Sequence, residues 1–456
     1  MTLLSHFKHT VVRSALLAGA FSFIGFVGNT AHAAIPIQQW TLANGARVYL
    51  VESPAIPMLD VQIDFDAGGR RDPAGKAGLA SATANMLEKG VAARDGQPAL
   101  GENALGEAWA DLGASFDSSA GADRMSFSLR TLTDPALLDK SVALAARQMG
   151  EPAFPENIWQ RGRLKIIASL KESYTRPGVV ASRAYGKAVY GTHPYGNETT
   201  EESVNRISVA DMRSFYDAGV VACRARISLV GAVTRAQADA IAQRLLSRLP
   251  QVPCASLPAL AVVPEVAELT QAEEKVIPFD SAQAQVMLGQ PGYKRSDPQF
   301  FSLLVGNYIL GGGGFVSRLA NEVREKRGLT YGVYSGFSPG LHAGAFTISL
   351  QTRPDQTKQA LEVTRKVLRD FVADGPTELE LKAAKDNLIG GFALLIDSNR
   401  KLLGNISNIA WNDLPLTYLD TWTDRVNSVT AADVKAAFGQ KLQPEKMVTV
   451  VLGAKP

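Results

Sequence analysis

The chain has 456 residues, of which 46% are hydrophobic and 20% charged, and its formal net charge is +3. That length predicts two to four domains with ample cores, and a charge so near neutral gives no electrostatic reason to bind nucleic acid or an anionic membrane. Two cysteines are too few for a disulfide framework or a cysteine-rich metal site.

The first residues are typical of a secretory signal peptide. Lys8 and Arg13 give a basic start, a mostly apolar stretch follows, and Ala31-His32-Ala33 offers a small-x-small cleavage site. A membrane anchor is the alternative, but the apolar core is too short to span comfortably and no later run reaches transmembrane length. We therefore predict a signal peptide at 1–33, cleaved after Ala33, no membrane span thereafter, and a periplasmic location if the source is a Gram-negative bacterium.

Strand and helix patterns alternate along the rest of the chain. Apolar alternation at 46–51, 59–65 and 125–129 predicts strands. Helices are predicted at about 136–150, 155–174, 178–189, 203–218, 299–310, 315–326, 355–374, 377–396 and 430–439. Because strands follow one another without intervening helices, we predict an α+β fold of mainly antiparallel sheets covered by helices, not a doubly wound parallel sheet.

Residues 76–90 read KAGLASATANMLEKG. This stretch resembles the signature helix of the pitrilysin- and insulinase-type zinc peptidases, a family that includes the mitochondrial processing peptidase, where the helix carries H-x-x-E-H. The flanking glycines place that His, Glu and His on Ser81, Ala84 and Asn85. None of these side chains can hold a catalytic zinc with a glutamate base beside it. The resemblance therefore implies a non-zinc subunit that lacks the motif.

The remaining histidines do not supply another metal site. Only His193 and His342 lie beyond the signal peptide, whereas a catalytic zinc normally has three protein ligands. We expect ordinary surface or loop contacts for both. The distal Glu of active relatives aligns near Ala168 and Ser169, with Glu172 as a remote alternative. We predict that this chain binds no metal and no cofactor; G-x-S-x-G, Walker and dinucleotide motifs are also absent from the sequence.

The chain also contains an internal duplication. Phe127-Ser128-Leu129 matches Phe346-Thr347-Ile348 at an offset of 219, and residues 207–211 match 429–433 at an offset of 222. Between the copies, residues 249–264 hold four prolines, which prevent a continuous helix and suit a semi-rigid linker. We predict two homologous tandem halves, 34–248 and 265–456, joined by that linker.

The pairing of the two cysteines is left open by the sequence. A bond between Cys223 and Cys254 would close a loop of roughly 30 residues. An oxidising compartment would permit it, but the separation of the two Cα atoms decides whether it forms.

A Gly-rich segment at 311–314 begins the most informative part of the second half. No Lys-Ser or Lys-Thr follows it, so a structural turn is favoured over a phosphate cradle. The residues that follow are similar to the C-terminal half of the same peptidase family, in which an Arg and a Tyr seven residues apart grip the scissile region of the peptide. Here they are Arg324 and Tyr331. A guanidinium and a phenol both donate hydrogen bonds to a peptide carbonyl or oxyanion; the alternative is a helix-end charge and a strand aromatic.

These observations favour one functional hypothesis over two others. The chain would be a zinc-free, substrate-gripping subunit of a periplasmic heterodimeric metallo-endopeptidase that acts on unfolded peptides. Zinc is expected in the partner, a homologous peptidase subunit, and the chain is expected to be inactive alone. The alternative is a non-enzymatic scaffold or peptide-binding protein of the same fold. A self-sufficient peptidase with unrecognised ligands ranks last.

Overall fold

The computed structural model of the chain describes residues 35–453, so the predicted signal peptide at 1–33 lies outside the described residues. The strands are β1 (Gln38–Thr41), β2 (Arg47–Glu52), β3 (Met58–Phe65), β4 (Gly90–Val91), β5 (Leu100–Gly101), β6 (Ser115–Ala120), β7 (Met125–Leu132), β8 (Arg226–Gly231), β9 (Glu273–Ile277), β10 (Ala284–Pro291), β11 (Val333–Phe337), β12 (Ala345–Thr352) and β13 (Val448–Leu452).

The α-helices are α1 (Leu79–Met86), α2 (Glu102–Asp111), α3 (Pro135–Gly150), α4 (Glu156–Ser173), α5 (Pro177–Tyr190), α6 (Glu201–Asn205), α7 (Val209–Gly219), α8 (Arg235–Leu246), α9 (Phe300–Asn307), α10 (Thr357–Asp374), α11 (Glu378–Gly391), α12 (Asn399–Trp411), α13 (Trp422–Ser428) and α14 (Ala431–Lys441). Within residues 35–453, no helix combines the length and the apolar character needed to cross a bilayer.

Two sheets form the framework of the molecule. The first has the strand order β1-β2-β8-β3-β7-β6, and the second has the order β9-β13-β10-β12-β11. Every pairing in them is antiparallel except β2 with β8 and β9 with β13, which are parallel. Helices cover both sheets, which confirms the predicted α+β class of mainly antiparallel sheets.

The strand order also confirms that the two halves are homologous. Strands β2, β8, β3, β7 and β6 correspond in spatial order to β9, β13, β10, β12 and β11, and the one parallel pairing falls at the same place in both sheets. Among the described strands of these two sheets, only β1 has no counterpart. The duplication that the sequence contains is therefore a duplication of sheet topology.

One helix of each half packs on the sheet of the other half. Helix α5 packs on the second sheet, where the Tyr185 hydroxyl donates a hydrogen bond to the Phe346 carbonyl (2.7 Å). Gly289 makes room for this contact, because a Cβ there would lie 2.1 Å from the Tyr185 oxygen. Its counterpart α12 packs on the first sheet, where the Ser407 hydroxyl donates to the buried Asp64 carboxylate (2.7 Å). The exchange ties the two halves together.

Two predicted helices are divided by local side-chain bonds. The stretch predicted at 203–218 forms α6 and α7, because Ser208 and Asp211 make a reciprocal capping box that starts a new helix. The stretch predicted at 315–326 is a short 3₁₀ turn followed by a π-helical segment, Ala320–Glu325. There the Ser317 hydroxyl accepts a bond from the Ala320 N–H (3.4 Å), so regular helix cannot begin earlier.

The two cysteines are bonded to each other. Cys223 and Cys254 form a disulfide with their Cα atoms 5.7 Å apart, which answers the question that the sequence left open. The Pro-rich segment that contains Cys254 is also held by two arginines of the first half: Arg224 donates to the Pro258 carbonyl (2.6 Å) and Arg71 to that of Ala261 (3.0 Å). The segment therefore follows a fixed path along the first half.

Candidate functional site

Helix α1 is the counterpart of the zinc-binding helix, and an aspartate fixes its first turn. The Asp72 carboxylate accepts hydrogen bonds from the N–H groups of Gly78 (2.7 Å) and Ala80 (2.8 Å). Gly78 precedes the helix with φ of 97°, a conformation that favours glycine. Burial raises the pKa of Asp72 to about 6, although its backbone hydrogen bonds act in the opposite direction. The helix start is thus held in place by buried polar contacts.

The three motif positions of α1 do not fit a zinc ion. Ser81 and Asn85 lie on the exposed side of the helix, one turn apart, while Ala84 is buried and its carbonyl accepts a bond from the Ser118 hydroxyl (2.8 Å). A hydroxyl, an amide and a methyl group are not the imidazole, thiolate and carboxylate ligands that zinc takes in proteins.

The surroundings of the helix supply no substitute. On α4, Ala168, Ser169 and Glu172 are all exposed. Across residues 35–453, no group of three or more His, Cys, Asp or Glu side chains is arranged to hold a metal. A step through zinc therefore cannot be assigned to this chain.

Arg324 and Tyr331 lie beside each other in the second half. The Arg324 guanidinium is 5.0 Å from the centre of the Tyr331 ring and 4.3 Å from that of Phe315, both within cation–π range. Arg324 belongs to the π-helical segment, a rare conformation that is frequent at functional sites. Tyr331 is 84% exposed and lies in the loop between that segment and β11.

The Arg/Tyr patch, which we define as Phe315, Val316, Arg324 and Tyr331, presents apolar surface to solvent. Phe315 and Val316 are 67% and 78% exposed, although large apolar side chains are usually covered. The Gly-rich segment precedes them in the chain. Close packing requires glycine at its first position, because a Cβ on Gly311 would lie 2.6 Å from the backbone nitrogen of Ser335. The tight packing of Gly311 fixes the position of the chain just before the exposed Phe315 and Val316.

The two histidines are buried, and the expectation of surface contacts for them is wrong. His193 and His342 are only 4% and 8% exposed, and their rings pack with centres 5.1 Å apart. Nδ1 of His193 accepts a bond from the Tyr195 N–H (3.1 Å), and Nδ1 of His342 lies 3.3 Å from the Glu265 carboxylate. This pair could not be predicted from the sequence, because the two histidines are 149 positions apart in the chain and only the packing of the halves brings their loops together.

Comparison with known proteins places this arrangement in a family. The family model described as "Peptidase M16 inactive domain" matches residues 206–388. The crystal structure of a peptidase M16 inactive domain from Pseudomonas fluorescens is 36% identical to the chain and superimposes with a TM-score of 0.85; the match covers 92% of this chain and 98% of that one. The chain belongs to the M16 peptidase family. The resemblance to zinc peptidases that residues 76–90 carry is confirmed.

Some M16 relatives of this chain are named as peptidases and others as non-peptidases. It is 23% identical over 405 residues to the "Uncharacterized zinc protease YmxG" of Bacillus subtilis, with 88% of this chain and 94% of the relative covered. It is 24% identical over 402 residues to the "Non-peptidase homolog YmxG" of Helicobacter pylori, with 86% and 88% covered. The inactive-domain match and the replaced ligands place this M16 chain with the members that lack a zinc site.

Some residues around the site were not predicted from the sequence of this M16 chain. Asp72 was not predicted, because it lies six positions before Gly78 and so too far from the start of α1 to be identified as its N-cap. Phe315 and Tyr334 gave no signal, because exposure of an aromatic side chain depends on which elements cover it.

Proposed function

We propose that the chain is the zinc-free, substrate-gripping subunit of a periplasmic heterodimeric metallo-endopeptidase that acts on unfolded peptides. The observation that carries the proposal is the exposed Arg/Tyr patch in a chain whose α1 offers no zinc ligands. A patch kept exposed despite its apolar content favours binding of another molecule.

The chemistry of the patch suits an extended peptide. Among the described residues, the Arg324 guanidinium makes one ionic contact, at 3.4 Å to Glu325, so most of its N–H groups remain free to donate. The Tyr331 hydroxyl is similarly accessible. Both groups would donate hydrogen bonds to a substrate carbonyl and hold it in place as it gains negative charge. Phe315 and Val316 would cover apolar side chains of the same peptide.

A homologous zinc-bearing M16 subunit is the partner we propose. Residues 35–453 supply no metal ligand set, so the metal chemistry would come from that partner, as in two-chain members of the family. The two chains would together enclose the peptide, with Arg324 and Tyr331 reaching the carbonyls near the scissile bond.

Two features support a periplasmic location. The predicted signal peptide at 1–33 directs export. The disulfide between Cys223 and Cys254 fits an oxidising compartment, since thiols are kept reduced in the cytosol.

The proposal is tested by peptide hydrolysis in a reconstituted pair. We expect quenched fluorescent peptides to be cleaved only by a mixture of this chain with a zinc-motif homologue from the same genome, and chelator to abolish the cleavage. Arg324→Ala should lower kcat/KM about 100-fold and Tyr331→Phe about tenfold, because each removes a donor to the developing oxyanion.

Matched controls come from a similar pair elsewhere on the surface. The Arg183 guanidinium lies 4.6 Å from the Tyr174 ring, so Tyr174→Phe should leave kcat/KM unchanged, as should Arg353→Ala at an exposed arginine. Full activity of the mixture with Arg324→Ala would contradict the assigned role. Cleavage by the homologue alone, unchanged when this chain is added, would favour the scaffold or peptide-binding alternative, which the name of the Helicobacter pylori relative also suits.

A further inference from the structure

Beside Tyr331 lies a cleft of about 340 Å³ between α5 of the first half and the second sheet. Its floor is a row of side chains from three neighbouring strands, Met287, Ser349 and Tyr334, which are direct partners in the sheet. Ala181 forms part of the wall on the α5 side, and Tyr331 stands at the mouth. The cleft therefore opens directly onto the Arg/Tyr patch.

The lining of this cleft has no charged residue among the described residues. The lining residues are Gly178, Ala181, Ser182, Gln285, Val286, Met287, Tyr331, Gly332, Tyr334, Ser349, Leu350 and Gln351. By contrast, four other clefts of the described surface, with volumes of about 440 to 860 Å³, include arginine, lysine or carboxylate side chains in their lining. A charged group entering the uncharged cleft would lose water without gaining a counter-ion, which is unfavourable.

One buried polar group in the cleft remains available for a ligand. Gln285 is only 9% exposed and lines the cleft; within residues 35–453 no side-chain hydrogen bond engages its amide, which stays within reach of solvent. Its oxygen lies near Gly178, in the first turn of α5. A peptide bond has the donor and the acceptor that this amide needs.

We propose that the uncharged cleft is a specificity pocket for one large apolar side chain of the bound peptide, with the Gln285 amide paired to the peptide backbone beside it. The proposal rests on the proposed function, since it takes the peptide to be the one held by Arg324 and Tyr331. The occupant follows from the lining: Met287 and Tyr334 would contact an apolar side chain, and the absence of charge disfavours an ionised one.

The test measures binding to the full chain with fluorescein-labelled Gly/Ser-rich peptides of fifteen residues that differ only in a central Ala, Leu, Phe or Glu. Fluorescence anisotropy should give a Kd about tenfold lower for Leu and Phe than for Ala, and the weakest binding for Glu. Ser349→Phe fills the floor and should abolish the preference for Leu over Ala, whereas Ser349→Ala should keep it. Gln285→Leu should weaken binding several-fold for every peptide alike, because it removes a bond to the backbone.

Several outcomes would overturn the proposal. Equal Kd values for Ala and Leu peptides would do so, and so would an undiminished Leu preference in Ser349→Phe. Thermal unfolding verifies that each variant is folded; if Ser349→Phe is not, Gln351→Trp at the exposed rim provides the same test. Loss of cleavage in Arg324→Ala together with no side-chain preference would leave the proposed function standing without this pocket. A clear preference in a chain that never supports cleavage would assign the pocket to a peptide-binding protein.

Discussion

At the scale of single residues, the buried His193 makes the stability of the chain sensitive to pH. Burial lowers the pKa of the His193 imidazole, and the neighbouring His342 lowers it further. The Pro264 carbonyl and the carboxylates of Glu265 and Asp123 raise it, but by less. Folded His193 therefore binds a proton less readily than an unfolded histidine, whose pKa is about 6.5.

The sign of the pH effect follows from that difference. Because the unfolded chain binds more protons in this range, the contribution of His193 is fully present above about pH 6.5 and is lost as the pH falls through its folded pKa. Asp72, with its raised pKa, acts in the opposite direction and is present in wild type and in the His193→Asn variant alike, so the effect of His193 is measured as the difference between the two proteins. We expect it to lower the urea midpoint of wild type at pH 5 relative to pH 7.5. In His193→Asn, which cannot gain the charge, the difference should be smaller. A pH dependence identical to wild type in that variant would contradict this account.

The residues at the three zinc-motif positions are a second feature that depends on single residues. Ser81, Ala84 and Asn85 are enough to exclude the metal site, because each ligand must have the right donor atom. This could be predicted from sequence, since the flanking glycines fix the alignment of the motif. The exposure of Ser81 and Asn85 and the burial of Ala84 then follow from the helical period.

At the scale of elements, the exchanged helices α5 and α12 hold the halves together through buried polar contacts. The Asp64 carboxylate, fully buried in the first sheet, accepts bonds from Ser126 (2.5 Å), from Arg124 (2.9 Å) and from Ser407 of α12 (2.7 Å). A buried carboxylate with several donors is stable, and loss of one donor leaves part of its desolvation uncompensated.

Removing that contact should loosen the docking of α12. We expect Ser407→Ala to lower the free energy of unfolding by about 1–3 kcal/mol, as measured by urea denaturation. The control is Ser428→Ala, whose exposed hydroxyl bonds only to a carbonyl of its own helix, and it should change stability by less than about 0.5 kcal/mol. An equal effect of the two substitutions would mean that the bond to Asp64 contributes nothing to docking.

Helices were predicted from the sequence to different extents. Helices α3, α4, α5 and α10 form close to their predicted bounds. Helix α12 was not predicted, because its Asn, Ser and Gly residues favour helix weakly and its apolar side is covered by the first sheet.

At the scale of the whole molecule, the disulfide stabilises the segment that connects the two halves. Cys223 belongs to the first half, whereas Cys254 lies in the Pro-rich segment 31 residues later. Cross-linking a loop of this length contributes about 3–4 kcal/mol in the chain-entropy model. Cys223 is buried but Cys254 is exposed, so reductant can reach the bond from one side.

Loss of the bond should therefore destabilise the whole chain. We expect Cys254→Ser to lower the free energy of unfolding by about 3 kcal/mol, and dithiothreitol to do the same to the wild type but not to the variant. Denaturation with and without reductant measures both effects. The double variant with Cys223→Ser serves as the control and should match the single one. Reductant that destabilises Cys254→Ser as much as wild type would contradict this assignment.

The sequence by itself determined the family, the duplication and the loss of the zinc ligands, because each depends on residue types at fixed spacing along the chain. It also predicts a substrate-binding role for Arg324 and Tyr331, through their context in the second half, and that role stays a prediction. Only the tertiary structure decided what surrounds them. The exchange of α5 and α12, the contact between His193 and His342, and the uncharged cleft join segments far apart in the chain, and such contacts depend on how the two sheets and their helices pack.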